Sequence, residues 1–545
     1  MAGDATSLPL AGGNGGAAPA GAAQTQARAP DPHFNIDAFD IDGNTLLDET
    51  DVEAAVYPFS GPDRARDDVA AARDALEKAY RAKGYASVVV EVPKQDVRTG
   101  IVKLHVTEIP LGRLRVVGAQ YNLPSHIKEQ MPSLVEGKVP NFTQAQAELA
   151  EVNRASNVQV TTTEHSGKTP GTIDIDLHVK DSLPFTASAT LNNDHAQNTT
   201  PLRTIASVSY GNLWQLGHQA SLTAILAPEN LSNAEVFVGS YSVPIQDTPW
   251  SVQLSGTYSN SNVQALAGAG VFGKGYTVGL TGNMQLPSLD DIAQTLSAGI
   301  AYKHNVNDTL FAGLPATICN HPKISGRACS DYWPVNAGYT LMQQSADASL
   351  TATAQVTLGI RGFGGGVASF NNNRADARSN FTKLNLDATY SRNLPWDMRL
   401  NVTLSGQVAD QPLLATEEFS AGGLSSLRGY LQSEALGDEG YFADVQLLSP
   451  SLVPYIDDFV GKDWFGHDAV DDWRFFVFSD NAAAWVLDTL PGQRSVFPLN
   501  SIGVGSQISL LSHLNGNVVM AMPMRNGVAT RAWHPDIQFS VSTEF

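Results

Sequence analysis

The stretch Trp250-Ser251-Val252-Gln253-Leu254-Ser255-Gly256-Thr257-Tyr258 alternates apolar residues, with Gly256 among them, with polar ones. The segment Met398-Arg399-Leu400-Asn401-Val402-Thr403-Leu404-Ser405 repeats this pattern. Because successive side chains of a β-strand point to opposite faces, each segment predicts a strand with one apolar and one polar face. The period of two continues to the C-terminus, so we predict an all-β unit over residues 183–545.

A soluble sandwich would also alternate, but three features favour a barrel in a membrane. The predicted strands have about 10 residues, which is the length of a membrane crossing. Aromatic residues such as Trp214 and Trp396 fall near strand ends, where interfacial girdles lie. Tight turns, as at Ser512-His513, also contrast with long polar connections such as 361–380. We therefore predict a transmembrane barrel of about 16 antiparallel strands.

Residues 33–182 follow a different pattern, in which helix and strand signals alternate and the order occurs twice. The copies, at 33–108 and 109–182, predict two small α+β domains ahead of the barrel. In the second copy, Thr143 and Gln146 have the spacing of a capping box and predict the start of a helix there. In the first copy, four apolar residues at helical spacing predict a helix over 67–83: Val69, Ala72, Leu76 and Tyr80.

Composition and charge limit the classes of partner. The chain has 34 basic and 54 acidic residues and a formal charge of −20, which disfavours nucleic acid as a partner. Residues 1–32 are rich in Gly, Ala and Pro and predict a flexible linker without a secretory signal, so we expect that the native signal has been removed. No Cys/His cluster or H-E-x-x-H motif indicates a metal, and we expect no cofactor.

The two cysteines, Cys319 and Cys329, lie in a segment rich in turn-forming residues. A disulfide between them would close a short loop and indicate an oxidising compartment. Two unpaired thiols are the alternative.

A long loop at 409–439, between two predicted barrel strands, contains the most informative motifs. It contains the tetrapeptide Leu427-Arg428-Gly429-Tyr430, with Gly422-Gly423 before it and Gly437-Asp438-Glu439-Gly440 after it. With these motifs the loop resembles the lumen-folded loop of the Omp85 superfamily, and within that superfamily the two-partner secretion exporters of haemolysins and filamentous haemagglutinins. The resemblance implies that the tetrapeptide is a gating motif and that Gly422, Gly423, Gly437, Asp438 and Gly440 support the loop.

In that family the loop arginine pairs inside the barrel with the aspartate of an F-x-D-x-G motif. Here the corresponding strand reads Phe478-Ser479-Asp480-Asn481-Ala482, so Phe478 and Asp480 match, whereas Ala482 replaces the glycine. The resemblance thus implies an ion pair between Arg428 and Asp480. In a water-filled lumen such a pair would contribute only about 0–1 kcal/mol, which would let the loop release.

The two N-terminal copies resemble POTRA domains, and two is the number in the secretion branch. The resemblance places them in the periplasm and the barrel in the outer membrane of a Gram-negative bacterium. A sheet edge in such a domain can pair with an unfolded chain through backbone hydrogen bonds. We therefore expect a non-enzymatic exporter of one large unfolded exoprotein of the adhesin or haemolysin type, which uses no nucleotide hydrolysis.

Other partners and functions follow from the same resemblance. Outer-membrane lipids should contact the apolar face, and the final Phe545 resembles the signal that the barrel-assembly machinery reads. A factor that inserts other barrels would share the arginine loop, and a passive porin would share the barrel. A barrel-embedded enzyme is disfavoured because the chain lacks G-x-S-x-G.

Overall fold

The computed structural model describes residues 33–153, 157–246, 248–261, 274–289, 291–307, 328–364, 367–456 and 469–545. The chain forms two compact units, one ending at Ser182 and one beginning at Leu183. Helices and short sheets build the first unit, whereas strands dominate the second. None of the helices in the described ranges is long and apolar enough to cross a membrane.

The first domain of the N-terminal unit packs two helices on a small sheet. In this sheet β5 is the central strand, parallel to β2 and antiparallel to β4. The predicted helix face of α2 is confirmed, because all four of its apolar residues are buried. The elements are β1 (Phe34–Ile36), β2 (Ala38–Asp42), α1 (Glu49–Val56), β3 (Gly61–Arg64), α2 (Arg66–Ala82), β4 (Val88–Glu91) and β5 (Ile101–Glu108).

The second domain repeats the arrangement, with β8 central, parallel to β6 and antiparallel to β7. Its elements are β6 (Leu111–Val117), α3 (Pro124–Glu129), α4 (Phe142–Val152), β7 (Val158–Ser166) and β8 (Ile173–Asp181).

The predicted capping box at Thr143 and Gln146 is wrong, because α4 begins one residue earlier and Asn141 is its cap. The Asn141 Oδ1 accepts a hydrogen bond of 3.1 Å from the N–H of Gln144. The same side chain donates through Nδ2 to the carbonyl of Lys83, at 2.9 Å. Asn141 therefore caps α4 and also joins it to the end of α2 in the first domain.

Sixteen antiparallel strands close into one barrel in the second unit, which confirms the predicted fold class. Their lengths vary more than predicted, from 8 residues in β9 to 17 in β16. The first nine strands are β9 (Phe185–Asn192), β10 (Arg203–Leu213), β11 (His218–Leu226), β12 (Glu235–Pro244), β13 (Trp250–Asn260), β14 (Lys274–Leu289), β15 (Ile292–Asn307), β16 (Ala328–Gln344) and β17 (Ala348–Gly364).

After β17 come helix α5 (Val367–Asn373), β18 (Thr382–Leu394) and β19 (Met398–Ala409), then a hairpin of β20 (Phe419–Ala421) and β21 (Ala435–Gly437) that is not part of the barrel wall. The remaining elements are β22 (Glu439–Leu448), α6 (Val453–Ile456), β23 (Val470–Trp485), β24 (Val496–Leu510), β25 (Leu514–Pro523) and β26 (Asp536–Glu544).

The register shows which face of the wall is apolar. Ser240 lies directly opposite Ser221 on one neighbouring strand and Ser255 on the other, so polar residues share a face. The alternate positions are apolar and exposed, as at Leu254 (51%) and Tyr258 (50%). Because these large side chains remain exposed while the polar face is enclosed, the apolar face points outward, as a membrane barrel requires.

The C-terminus completes the barrel where β26 pairs with β9. The Phe545 N–H donates to the carbonyl of Ala187 at 2.8 Å, and the Ala187 N–H donates back to the carbonyl of Phe545 at 3.0 Å. The Phe545 ring stacks on His513 with the ring centroids 5.5 Å apart. The terminal residue therefore takes part in closing the barrel, and its proposed role as an assembly signal stays a prediction.

Candidate functional site

Residues 410–438, which we call the lumen loop, connect β19 to β22 and fold against the inner surface of the barrel. The hairpin β20–β21 forms its stem, with Phe419 paired to Gly437. At its tip Leu427 and Tyr430 are fully buried. The loop packs on inward-facing residues of three wall strands, β22 to β24: Phe442, Ala482, Ala484 and Leu499.

Arg428 at the tip makes a multidentate contact with Asp480 of β23. Its Nε lies 2.9 Å from Asp480 Oδ2, and its Nη2 lies 2.6 Å from Asp480 Oδ1. The backbone N–H of Arg428 also donates to Oδ2, at 2.9 Å. The structure thus brings together the two residues that the sequence motif pairs, and it fixes the backbone as well as the side chain.

Three further side chains surround the guanidinium. The Arg428 Nη1 donates to Gln446 Oε1 at 2.8 Å, and Nη2 pairs with Asp444. The Arg428 Cζ lies 3.6 Å from the centroid of the Phe478 ring, which is a cation–π contact. Sequence reasoning assigned Phe478 but missed Asp444 and Gln446. The register would have found Asp444, because it lies directly opposite Asp480.

Burial changes the predicted strength of this cluster. The side chain of Arg428 is 8% exposed and that of Asp480 is 0% exposed, so the pair is not in contact with bulk water. The value expected for a solvated pair therefore does not apply. Removing one partner of a buried ion pair typically costs about 3–5 kcal/mol, because the other charge stays buried without compensation.

Gly429 and Tyr430 attach the tip to β24, to β26 and to the connection between β25 and β26. The N–H of Gly429 donates to Gln538 Oε1 of β26 at 3.1 Å. The Tyr430 hydroxyl lies 3.0 Å from the carbonyl oxygen of Asn500 and 2.9 Å from that of Arg525. Gly429 has φ +83°, which favours glycine, and an added Cβ would lie 2.8 Å from the Cβ of Ala521 on β25. Both the backbone conformation and the lack of space therefore disfavour a side chain at this position.

The alanine that departs from the family motif fits its surroundings. Ala482 is 2% exposed and packs in the apolar group under the loop stem. The wall position that has no room for a side chain under the loop is instead Gly440 of β22, where an added Cβ would lie 2.1 Å from Cδ1 of Phe419. Gly422 and Gly423 lie beside the tip, and Gly437 ends the stem.

Asp438 holds the base of the lumen loop and is fully buried. Its Oδ1 accepts from the N–H of Leu413 at 2.6 Å, and its Oδ2 accepts from the N–H of Leu487 at 2.7 Å. Arg374, from the connection between β17 and β18, donates to Oδ2 at 2.6 Å and also pairs with Glu418. The sequence indicated Asp438 as a supporting residue but gave no indication of Arg374.

Glu417 forms a second buried cluster at the base. Its carboxylate lies 2.5 Å from Lys303 Nζ and 2.9 Å from Lys383 Nζ. The hydroxyl of Tyr332, itself fully buried, donates to it at 2.6 Å. The cluster connects the lumen loop to β15, β16 and β18, and no sequence motif indicated it.

At the opposite end of the barrel, Arg474 of β23 joins two turns. Its Nη1 donates to the carbonyl of Asp397 at 2.6 Å and to that of Ser449 at 3.1 Å. The N–H of Ser451 and the guanidinium of Arg474 together lower the pKa of Asp397 from its usual value, against the opposing effect of partial burial.

Two sequence expectations concern other residues. Cys319 lies outside the described residues, so its pairing with Cys329 of β16 stays a prediction. Within the described part of the chain, no group of three or more His, Cys, Asp or Glu residues could hold a metal ion.

Comparisons with known proteins agree on one family. The model of the haemolysin secretion/activation protein ShlB/FhaC/HecB matches residues 171–455, and that of the ShlB-type POTRA domain matches residues 34–108. Among curated proteins, the outer membrane transporter CdiB of Dickeya dadantii is 20% identical over 75% of this chain and 71% of its own length. The heme/hemopexin transporter protein HuxB of Haemophilus influenzae is 20% identical over 86% of this chain and 80% of its own length.

Solved structures share the fold at low identity. CdiB from Escherichia coli aligns with a TM-score of 0.58 and 19% identity, over 97% of this chain and 93% of that chain. BamA from Haemophilus ducreyi, lacking POTRA domains 1–3, aligns with a TM-score of 0.54 and 16% identity, over 94% of this chain and 100% of that chain.

Proposed function

This chain belongs to the haemolysin secretion/activation protein family ShlB/FhaC/HecB, and on that premise we propose that it exports one large partner protein in unfolded form. The family consists of outer-membrane transporters whose POTRA domains lie in the periplasm. Because the POTRA domains lead into β9, this strand begins at the periplasmic end, and the lumen loop enters the barrel from the extracellular end. The observation that supports gated export best is the buried contact of Arg428 with Asp480.

The proposed first step is capture of the partner in the periplasm. Each POTRA sheet has edge strands, such as β7 in the order β6-β8-β7. An edge strand offers unpaired backbone N–H and C=O groups, which can bind an extended segment with little demand on its sequence. This chemistry suits an exoprotein that has not yet folded.

The proposed second step is release of the lumen loop. In the described state Arg428 is bound by Asp480, Asp444 and Gln446, and the loop covers β22 to β24. Because this cluster is buried, opening requires that partner binding compensates for its loss rather than that the loop detaches unaided. We propose that folding of the partner outside the cell supplies the drive, without nucleotide hydrolysis.

The test is to express Arg428→Ala with the partner and to measure secreted partner in the medium. We expect export to be lost while the barrel keeps its heat-modifiable migration in gels. Arg494→Ala is the matched control, because this side chain lies in an exposed loop, and it should export normally. Normal export by Arg428→Ala would overturn the gating role. A gene for a very long, repetitive secreted protein beside this one would identify the partner to test.

Two further experiments distinguish export from the two alternative functions, insertion of other barrels and passive diffusion through a porin. Deletion of an insertion factor would deplete many outer-membrane proteins, whereas deletion of an exporter should remove one exoprotein from the medium. In planar bilayers a passive porin should conduct steadily, and Arg428→Ala should leave that conductance unchanged. An exporter closed by the lumen loop should conduct little until Arg428 is replaced.

A further inference from the structure

The outer face of β14 to β16 changes character near its extracellular end. Nearer the periplasm its outward residues are exposed and apolar, as at Leu280 (50%) and Ile300 (41%). Close to the extracellular ends of the same strands, the outward positions hold Tyr276, His304 and Asp331, each directly opposite the next. Polar side chains therefore replace aliphatic ones on a face that points away from the lumen.

These polar residues belong to one connected cluster. The His304 Nδ1 lies 2.5 Å from Asp331 Oδ1, and the Tyr302 hydroxyl donates to the same oxygen at 3.0 Å. The ring of Tyr276 stacks on that of His304 with the centroids 5.0 Å apart. The Tyr302 ring lies at the same distance from the ring of Trp333. We call these five residues the outer patch, in which Tyr276 and Trp333 remain 44% and 37% exposed.

The strand lengths place the outer patch beyond the hydrocarbon layer. A tilted strand crosses the layer with about 9–11 residues, whereas β14 and β15 have 16 residues each and β16 has 17. Because exposed aliphatic residues begin close to the periplasmic ends, as at Leu296 (42%), the extra length lies at the extracellular end. A carboxylate that faced hydrocarbon would also be costly, and this cost falls towards the headgroups. The outer patch therefore faces the headgroups of the outer leaflet.

We propose that the outer patch binds the core sugars of lipopolysaccharide, the glycolipid of the outer leaflet. The inference rests on the outer-membrane location of the family and not on export. The exposed rings of Tyr276 and Trp333 offer apolar faces to the C–H faces of sugar rings and keep a polar edge towards water. Aliphatic side chains at these two positions would offer neither.

Asp331 favours sugars over the phosphates of the same glycolipid. Its contacts with His304 and Tyr302 both use Oδ1, and among the described residues no group donates to Oδ2. The Oδ2 atom can therefore accept a hydrogen bond from a sugar hydroxyl. A phosphate group offers no such donor when it is ionised, and the carboxylate repels it.

The test measures glycolipid binding to the purified full chain by native mass spectrometry. It compares lipopolysaccharide that has a complete core with lipid A, which has the same acyl chains and phosphates but no core sugars. We expect the full-core molecule to bind about fivefold more tightly than lipid A. Equal affinities would overturn the proposal, because binding would then depend on the lipid anchor alone.

A double variant, Tyr276→Leu with Trp333→Leu, removes both exposed rings and keeps apolar side chains. It should weaken binding of the full-core molecule about fivefold, to the affinity of lipid A, and leave lipid A binding unchanged. Tyr339→Leu is the matched control, because Tyr339 also faces outward but lies near the periplasmic end of β16, where its hydroxyl donates to Gln294 at 2.6 Å. Full-core binding that the double variant retains, or that Tyr339→Leu weakens equally, would overturn the proposal.

Asp331→Asn keeps the size of the side chain and tests its charge, also where the double variant fails to fold. We expect lipid A to bind about two- to fivefold more tightly, because the repulsion of its phosphates is removed, so the preference for the full-core molecule should narrow. A role in stability alone would not change this preference. Heat-modifiable migration shows that each variant folds. An unchanged preference in folded Asp331→Asn would contradict the assigned role of the carboxylate.

Discussion

The inner surface of this barrel consists of two regions built by the same alternation but with different chemistry. Under the lumen loop, the inward-facing residues of β22 to β26 include Asp444, Phe478 and Asp480, and they are largely or fully buried. On the inner face of β14, β15 and β17, Thr281, Ser297 and Gln355 are polar, uncharged and half-buried. The comparison shows that alternation determines which residues face inward. The lumen loop then determines which of them are shielded from water and bind Arg428.

The largest expected effect comes from removing the anchor carboxylate. Asp480→Ala leaves the buried Arg428 with Asp444 and Gln446 but without its bidentate partner, and we expect a loss of about 3 kcal/mol in the free energy that holds the loop. Asp387→Ala is the matched control, because this inward carboxylate on β18 is exposed and accepts a hydrogen bond of 2.6 Å from Ser405. It should cost less than about 1 kcal/mol.

Urea titration of heat-modifiable migration measures both variants, and protease accessibility of the lumen loop reports its release. Equal losses of stability for Asp480→Ala and Asp387→Ala would contradict the distinction between the buried region under the lumen loop and the solvent-exposed inner face.

The sequence predicted the fold and the centre of the site but not the whole site. Alternation and connection lengths were enough for the barrel, because they follow from local side-chain direction. The motifs placed Arg428 and Asp480 together. Asp444 was missed because its role depends on strand register, and Arg374 and Glu417 were missed because their contacts join segments far apart in the chain. Hydrophobic pattern alone does not encode such contacts.

The second prediction compares two glycines that are each tightly packed. In Gly440→Ala the new methyl group would meet the ring of Phe419, which is held in the loop stem, and we expect a cost of about 1–3 kcal/mol. In Gly338→Ala the nearest atom is the Ser297 Oγ, which can rotate away, so the cost should be below about 1 kcal/mol. The same urea titration measures both, and the reverse order would indicate that the stem repacks easily.

A third prediction removes one hydroxyl from the loop tip. Tyr430→Phe keeps the buried ring but removes the hydroxyl, which donates its one proton to the carbonyl of Asn500 or of Arg525, at an expected cost of about 0.5–1.5 kcal/mol. Tyr258→Phe, on the outward face, should change stability by less than about 0.5 kcal/mol. A null result for Tyr430→Phe would show that water reaches the tip.

The smallest effect is expected on the inner face of β16, at Thr340→Val. The Thr340 hydroxyl lies 3.2 Å from that of Thr353, and both side chains are half-buried. Because lumen water can replace the lost hydrogen bond, the change in stability should stay within about 0.5 kcal/mol. Urea titration of Thr340→Val and Thr340→Ser, which keeps the hydroxyl, should give the same midpoint. A loss above 1 kcal/mol, comparable to that of Tyr430→Phe, would mean that this side of the lumen is dry, and the contrast between the two regions would then have to rest on charge alone.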